Sequence, residues 1–256
     1  MDGDRDGDSD SSSSSALGAL GFMFDAFNAT SLKTYAFSPP SGPLTLHLNV
    51  IDDTPGACIS GHYLWPAASL LCDHLCSASP PLPPAPARAL ELGAGCGLAG
   101  ILAGCLLPAG STLAFTDHDP GVLATCERNV LATLARLPAP HPGPLVGAGY
   151  FDLPWGDLGA AGPVLEGGRF ELVLGSDVIY DRDIVRPLFE TIGELLKPGG
   201  RMVMSQSFEY DGETEEEIDR MCEQVGVERE VVLDTFASGD ESDENKGKIQ
   251  YFSKPT

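Results

Sequence analysis

The sequence predicts an α/β fold, in which a mostly parallel sheet is covered by helices on both faces. Three observations lead to this prediction. Strands and helices alternate after residue 87, glycines crowd the turn after the first of these strands, and acidic residues follow several strands. With 256 residues, 43% of them hydrophobic, the chain can build one such domain around a sizeable core.

The chain is predicted to consist of a tail and a single domain. Residues 1–30 are acidic and rich in serine, which predicts a disordered tail. Residues 31–256 form the domain, and the change of pattern at the proline-rich stretch divides it into 31–87 and a core at 88–256.

The first part of the domain predicts a hairpin, a helix and a linker. KTYAFSPPSGPLTLHLNVI (33–51) indicates two strands around a Pro/Gly turn, and its second half alternates at period two. GHYLWPAASLLCDHLC (61–76) favours a helix with Pro66 in its first turn. PPLPPAPA (80–87) is typical of a stiff linker.

The sequence pattern of the core, residues 88–256, predicts a regular succession of strands and helices. The predicted strands are Arg88–Leu92, Thr112–Thr116, Leu145–Tyr150, Glu171–Gly175, Met202–Ser207, Glu230–Thr235 and Ile249–Ser253. The predicted helices cover 97–107, 120–137, 181–196 and 215–226. We expect a Gly/Pro-rich loop at 151–169, a Lys-Pro-Gly-Gly turn at 197–200 and an acidic loop at 238–248.

Charge and composition exclude several classes of function. The formal net charge of −22 argues against nucleic acid as a ligand and is compatible with a basic protein partner. No apolar run is long enough for a membrane span, and the acidic start is unlike a secretory or transit signal. Seven cysteines without regular spacing favour free thiols in a reducing compartment, so we expect a cytoplasmic protein, with the nucleus as a second location. No histidine has a partner at metal-ligand spacing; neither a metal nor an oligomer is predicted.

The segment ALELGAGCGLAG (89–100) joins the first core strand to a helix. Its glycines, Gly93, Gly95 and Gly97, would let the chain turn sharply and let a ligand lie against bare backbone near a helix N-terminus. The dinucleotide-binding pattern is GxGxxG, and here Leu98 occupies the place of its third glycine. A purely structural glycine-rich turn is the alternative to a cofactor loop.

Three further acidic or aromatic positions follow strands, where open α/β sheets place their ligands. Asp117 ends the second core strand and is predicted to accept hydrogen bonds from ribose hydroxyls, whereas Asp119 is predicted mainly to cap the helix at 120. Trp155 could meet an adenine ring or pack in the core, and Asp152 is a weaker candidate for the adenine amino group. Asp177 could serve chemistry or cap a helix.

These motifs together resemble a known family. ELGAGCG (91–97) is similar to motif I of the S-adenosylmethionine-dependent methyltransferases, whose cofactor is cationic and suits an acid beside the loop. With GHYLWP (61–66), LPWGD (153–157) and DVIY (177–180), the chain resembles methyltransferase family 16, the seven-β-strand protein lysine methyltransferases, over about residues 33–208.

The resemblance implies a Rossmann-like class I methyltransferase fold, with seven strands in the order 3-2-1-4-5-7-6, an antiparallel last strand, and S-adenosylmethionine as the cofactor. The residues that it implies as cofactor contacts are Trp65, Glu91, Gly93, Ala94, Gly95, Asp117, Trp155 and Ser176. It implies that Asp177 and Tyr180 line the channel for the methyl acceptor. Family members often have an acid before the tryptophan of the LPWGD loop, where this chain has Leu-Pro.

We therefore expect a protein-lysine N-methyltransferase whose substrate is a protein that presents a lysine. Two alternatives remain at this point. The enzyme could methylate another protein side chain, such as histidine, or a small molecule. A module of a different class could keep the fold and bind a partner without catalysis.

Overall fold

The computed structural model describes residues 30–51, 60–236 and 246–256. The strands in these ranges are β1 Thr30–Phe37, β2 Leu44–Ile51, β3 Arg88–Glu91, β4 Thr112–Asp117, β5 Gly149–Asp152, β6 Phe170–Ser176, β7 Leu196–Gln206, β8 Glu228–Asp234 and β9 Lys248–Ser253. The helices are α1 Pro66–Leu75, α2 Leu98–Leu106, α3 Pro120–Leu134, α4 Gly143–Val146, α5 Ala161–Leu165, α6 Val185–Leu195 and α7 Gly212–Val225. Short 3₁₀ turns cover Ser60–His62 and Arg182–Ile184.

A seven-stranded sheet forms the centre of the described structure. Its strand order is β5-β4-β3-β6-β7-β9-β8, and β9 runs antiparallel to both of its neighbours. Counted from β3 as the first core strand, this order is 3-2-1-4-5-7-6, so the predicted topology is confirmed. IQYFS is the last strand, as expected.

The sheet is buried on both faces because its central strands are apolar at successive positions. Ala89 and Leu90 of β3 are adjacent in sequence and point to opposite faces, where each joins a different hydrophobic cluster. One cluster includes residues of α1, α2 and α3, and the other includes residues of α6 and α7. The predicted layers on both faces are therefore present.

The N-terminal hairpin packs on the sheet domain through the predicted alternation. Leu46, Leu48 and Val50 of β2 are buried. The buried Asn129 of α3 accepts a hydrogen bond from the backbone N–H of Asn49 at 2.6 Å, and its Nδ2 donates to the carbonyl of Asn49 at 3.2 Å. This side chain joins the open edge of β2 to the helix beneath it.

The structure corrects the predicted strand at Leu145–Tyr150. The first part of that segment is helix α4, with Pro142 before it and Pro144 in its first turn, and β5 begins only at Gly149. Leu145 is buried against α2 at Gly104, whose hydrogen leaves room for the leucine. A short apolar run fits a buried helical turn as well as a strand, and the prolines favour the turn.

Other boundaries also differ from the prediction. Helix α3 ends at Leu134 and not at 137, β8 begins at Glu228 and not at Glu230, and the predicted loop at 151–169 contains the short helix α5. The Lys-Pro-Gly-Gly segment lies inside β7, as an irregular stretch where the register with β6 shifts. Helix α7 begins at Gly212, three residues before the predicted start, because Asp211 caps it by accepting from the N–H of Thr214 at 2.8 Å. Residues 1–29 of the predicted tail and most of the predicted acidic loop lie outside the described residues, while Thr30 begins β1. No helix in the described ranges has the length and apolar character needed to cross a bilayer.

Candidate active site

The glycine-rich loop follows β3 and bends in a way that only glycine adopts easily. Gly93, Gly95 and Gly97 have φ values of 58°, 52° and 82°. A side chain at Gly97 would also place its Cβ 2.5 Å from the sulfur of Cys126. The loop is tied to the neighbouring strand β4 by a hydrogen bond from the N–H of Ala94 to the carbonyl of Thr116 at 2.9 Å.

Asp117 ends β4 beside this loop. Its Oδ2 accepts from the N–H of Gly95 at 3.1 Å, and its Oδ1 accepts from the N–H groups of His118 and Asp119 at 2.9 and 3.2 Å. Nδ1 of His118 also lies 3.3 Å from Oδ1. Among the described residues only Gly95 donates to Oδ2, so one acceptor position remains on that oxygen. Burial raises the pKa of Asp117, while the bond from Gly95 acts in the opposite direction.

Asp119 has the role that the sequence predicts for it. Its Oδ1 accepts from the N–H groups of Gly121 and Val122 at 2.7 and 3.3 Å, and it is the N-cap of α3. Asp119 therefore caps the helix as expected, whereas Asp117 bonds the glycine loop and its ribose contact stays a prediction.

A cavity of about 390 Å³ opens at the carboxyl ends of the central strands, where parallel sheets of this kind bind their ligands. Six of the predicted cofactor contacts line it: Trp65, Gly93, Gly95, Asp117, Trp155 and Ser176. The predicted acceptor-channel residues, Asp177 and Tyr180, line it as well. Residues that are far apart in the sequence thus meet around one space, and their roles there stay predictions.

Two of the predicted contacts, Glu91 and Ala94, do not line this cavity. Glu91 is buried behind the loop, and its Oε2 accepts from the N–H of Gly100 in α2 at 3.0 Å. Burial raises the pKa of Glu91 to about 8. The glutamate therefore supports the strand-to-helix turn from the inside, and the structure places its carboxyl on a backbone N–H instead of in the cavity.

Trp155 packs in the core and also lines the cavity, and its contact with adenine stays a prediction. Its ring packs against the apolar cluster on one face of the sheet and also forms part of the cavity wall. A Cβ at Gly93 would lie 3.1 Å from the ring, so the glycine leaves the indole its place beside the loop. Asp152 is exposed and lies outside the lining.

Asp177 has an unusual backbone conformation, and three hydrogen bonds hold its side chain. Its φ of 49° makes it the one non-glycine residue with positive φ among the described residues. Its Oδ1 accepts from the N–H of Ser207 at 2.7 Å, and its Oδ2 accepts from the Ser207 hydroxyl at 2.7 Å and from the N–H of Ala67 at 3.4 Å. The following 3₁₀ turn is capped by Asp181, so Asp177 does not cap it.

Burial raises the pKa of Asp177, while the two bonds from Ser207 oppose that rise. The carboxylate ties the end of β7 to the start of α1, the helix that Trp65 precedes. One acceptor position, on Oδ1, remains after the described bonds. The geometry fits a group that is held in place and can accept one further hydrogen bond.

Phe208 lies at the rim of the cavity beside the predicted Tyr180, and the sequence motifs did not point to it. Tyr180 is 63% exposed there, and Phe208, which lies two residues after the end of β7, is 37% exposed beside it. The available signal was an aromatic residue directly after a strand at the carboxyl edge, in the acidic segment QSFEYDG. Across 30–51, 60–236 and 246–256, no three His, Cys, Asp or Glu side chains form a group that could hold a metal ion.

The strand order, the glycine loop and the cavity at the carboxyl edge define the Rossmann-like fold of class I methyltransferases. Solved structures agree on the fold. The predicted O-methyltransferase Atu636 from Agrobacterium tumefaciens is similar with a TM-score of 0.52 and 15% identity, over 74% of this chain and 81% of that one. The CurJ carbon methyltransferase is similar with a TM-score of 0.50 and 15% identity, over 69% of this chain and 50% of that one.

Sequence comparison narrows the class to one family. Residues 45–217 match the family model described as lysine methyltransferase, and the chain belongs to that family. Protein N-lysine methyltransferase METTL21A from Mus musculus is 36% identical over 124 residues, which cover 48% of this chain and 50% of the relative. The chain thus aligns with about half the length of that curated relative.

Proposed function

We propose that this chain is an S-adenosylmethionine-dependent protein-lysine N-methyltransferase. The observation that carries the proposal is the acidic lining of the cavity. It is found in a chain that belongs to the lysine methyltransferase family. Carboxylates of Asp117, Asp119 and Asp177 line the cavity, and no lysine or arginine is among the described lining residues. Such a site favours a cationic sulfonium and disfavours the pyrophosphate of a dinucleotide.

The residues present fit the cofactor. The cavity volume of about 390 Å³ lies within the usual range for small-molecule sites. The open acceptor position on Oδ2 of Asp117 would take a ribose hydroxyl, and the bare backbone at Gly93 and Gly95 would let the ligand approach closely. The Trp155 ring would pack on the adenine. When bound, the cofactor supplies the activated methyl group, and the protein supplies binding and orientation.

The acceptor side of the cavity fits a lysine. An amine with an ordinary pKa of about 10.4 must lose a proton before it can act as a nucleophile. The Ser207 bonds fix the carboxylate of Asp177, whose remaining position would orient the incoming amine while the proton leaves to water. Burial raises the pKa of Tyr180, so its hydroxyl stays protonated and can donate a hydrogen bond.

The proposal extends to the partner and the compartment. The net charge of −22 supports encounter with a basic protein segment, and it equally keeps the protein soluble. We further propose that the protein is a monomer and that it does not bind nucleic acid. The six described cysteines are free thiols, which supports a cytoplasmic location.

Methyl transfer from tritium-labelled S-adenosylmethionine into the proteins of a cell extract tests the proposal, followed by acid hydrolysis of each labelled band. Methyl-lysine is the expected product. Asp177→Asn is the matched variant, because it removes the charge at nearly constant size. It should keep S-adenosylhomocysteine affinity within about threefold and lose transfer by at least about tenfold. A thermal melt verifies its fold.

The other outcomes separate the alternatives. Label recovered as methyl-histidine or in small molecules would assign the same fold to a different acceptor. Tight binding of S-adenosylhomocysteine without any transfer would favour the partner-binding module. Equal transfer by wild type and Asp177→Asn would remove Asp177 from the acceptor site.

A further inference from the structure

We propose that Phe208 is a specificity-determining residue: with Tyr180 it forms the wall along which the acceptor side chain reaches the reaction cavity. This inference rests on the proposed function and adds a residue that neither the motifs nor the comparisons assign. It starts from the position of two exposed aromatic rings.

A second cavity, of about 350 Å³, adjoins the first one, and Tyr180 and Phe208 line both. The two rings therefore form the boundary between the cofactor cavity and the outer space. They are 63% and 37% exposed, although large aromatic side chains are usually well buried. Because both exposed rings line both cavities, a ligand that reaches the inner cavity from the outer one can contact them.

The backbone of Phe208 is held by a chain of buried polar groups. Its carbonyl accepts from Nε2 of Gln206 at 2.9 Å, and Oε1 of Gln206 accepts from Nε2 of Gln250 at 2.6 Å. Oε1 of Gln250 accepts from Nε of Arg229 at 2.6 Å. Both glutamines are fully buried, so this chain fixes the segment after β7 from the side of β8 and β9.

The same segment sets Phe208 relative to the candidate catalytic carboxylate. Ser207 binds Asp177 through both its N–H and its hydroxyl. The ring of Phe208 packs edge-to-face on Tyr210, with 5.7 Å between the ring centroids. Residues 206–208 therefore hold the Phe208 ring at a fixed distance from the carboxylate of Asp177. A passage that selects one kind of side chain requires such a fixed distance.

The chemistry of the wall suits lysine. The four methylenes of a lysine can pack along an aromatic ring while the cationic head is attracted to the ring face. Three carboxylates, of Asp181, Glu209 and Asp211, line the outer cavity together with one cation, Arg182, which is paired with Glu213. The excess of acidic groups adds to the preference for a cationic acceptor. Loss of the Phe208 ring should therefore weaken acceptor binding and leave the cofactor in place.

The test compares wild type with Phe208→Ala, Phe208→Tyr and Leu131→Ala. Leu131 is an exposed apolar residue of α3 that lines neither cavity, so its variant is the matched control. The probe is a degenerate peptide library with one central lysine. Two quantities are measured: methyl transfer to the library, and retention of the library on immobilised protein saturated with S-adenosylhomocysteine. Calorimetry with S-adenosylhomocysteine shows whether each variant keeps a folded cofactor site.

Phe208→Ala is expected to lower kcat/KM and peptide retention by about tenfold, mainly through KM, with cofactor affinity unchanged within about twofold. Phe208→Tyr should keep kcat/KM and peptide retention near the wild-type values, and Leu131→Ala should change neither quantity. Equal transfer and retention by wild type and Phe208→Ala would overturn the inference while the proposed function stands. So would a parallel loss of cofactor affinity.

The two failures can be told apart. Phe208-dependent retention without transfer by wild type would support the wall and refute the proposed activity. Neither retention nor transfer by wild type would overturn both.

Discussion

Replacement of Glu91 by glutamine tests whether this carboxyl is a buried structural group or a charged contact of the cofactor. The sequence predicted a contact, whereas the structure places the carboxyl against the N–H of Gly100 and outside the cavity. Burial raises its pKa to about 8, from an ordinary value of 4.5. Glutamine keeps a carbonyl oxygen for Gly100 and cannot ionise.

The magnitude follows from proton linkage. Between pH 4.5 and about 8, the folded chain holds a proton on Glu91 that the unfolded chain has released. The contribution of Glu91 to stability is therefore complete below pH 4.5 and is lost as the pH rises through about 8. The loss is about 1.4 kcal/mol per pH unit, or roughly 2–3 kcal/mol between pH 6 and pH 8. Glu91→Gln should remove this slope.

Urea unfolding at pH 6, 7 and 8, followed by circular dichroism, measures the free energy of unfolding for wild type, Glu91→Gln and Glu216→Gln. Glu216 is an exposed glutamate of α7, so its variant makes the same charge change at the surface and should keep the wild-type slope. S-adenosylhomocysteine affinity at pH 7 should change less than about threefold in Glu91→Gln. If Glu91→Gln keeps the pH slope of the free energy of unfolding and loses much of its S-adenosylhomocysteine affinity, the structural role is refuted. Glu91 would then be a contact of the cofactor, as the sequence predicted.

Three further substitutions test the framework of the site. Asn129→Ala should cost about 3–5 kcal/mol in urea unfolding, because backbone groups at Asn49 and in the glycine loop lose their buried partner; a cost below about 1 kcal/mol would contradict this. Asp119→Ala should cost about 1 kcal/mol through loss of the α3 cap, and no change in the unfolding midpoint would be inconsistent with the cap. Gly97→Ala should cost at least about 2 kcal/mol, since φ is 82° and the new Cβ would meet Cys126; a wild-type melting temperature would show that the loop tolerates a side chain.

Much of the fold could be predicted because local pattern and tertiary position agree. Leu46, Leu48 and Val50 alternate in the sequence and alternate in the hairpin, and Asp119 followed by Pro120 reads as a helix start and is one. The order of the sheet came from the family resemblance, because periodicity alone carries no information on which strands are neighbours. The prediction of a strand from Leu145 to Tyr150 was wrong because a short apolar run does not distinguish a helical turn from a strand.

The meeting of the predicted site residues at one edge of the sheet was predictable where a residue ends a strand or directly follows one. Asp117 is the last residue of β4 and Asp177 directly follows β6, so the topology alone brings them to one edge. The direction of a side chain was not predictable. Glu91 ends a strand in the same way, yet its carboxyl turns inward to a helix N–H that only the folded structure brings near. The network of Asp177 with Ser207 depends on contacts between separate elements, which no spacing reveals.

Calorimetric titration with S-adenosylhomocysteine, on wild type and Asp117→Ala in parallel, tests the central claim most directly. The account predicts measurable binding by wild type. It also predicts a loss of about 1.5–3 kcal/mol in the variant, roughly tenfold to a hundredfold in Kd, because the ribose would lose a charged acceptor. No binding by wild type would contradict the assignment of the cavity, and equal binding by both proteins would contradict the role of Asp117.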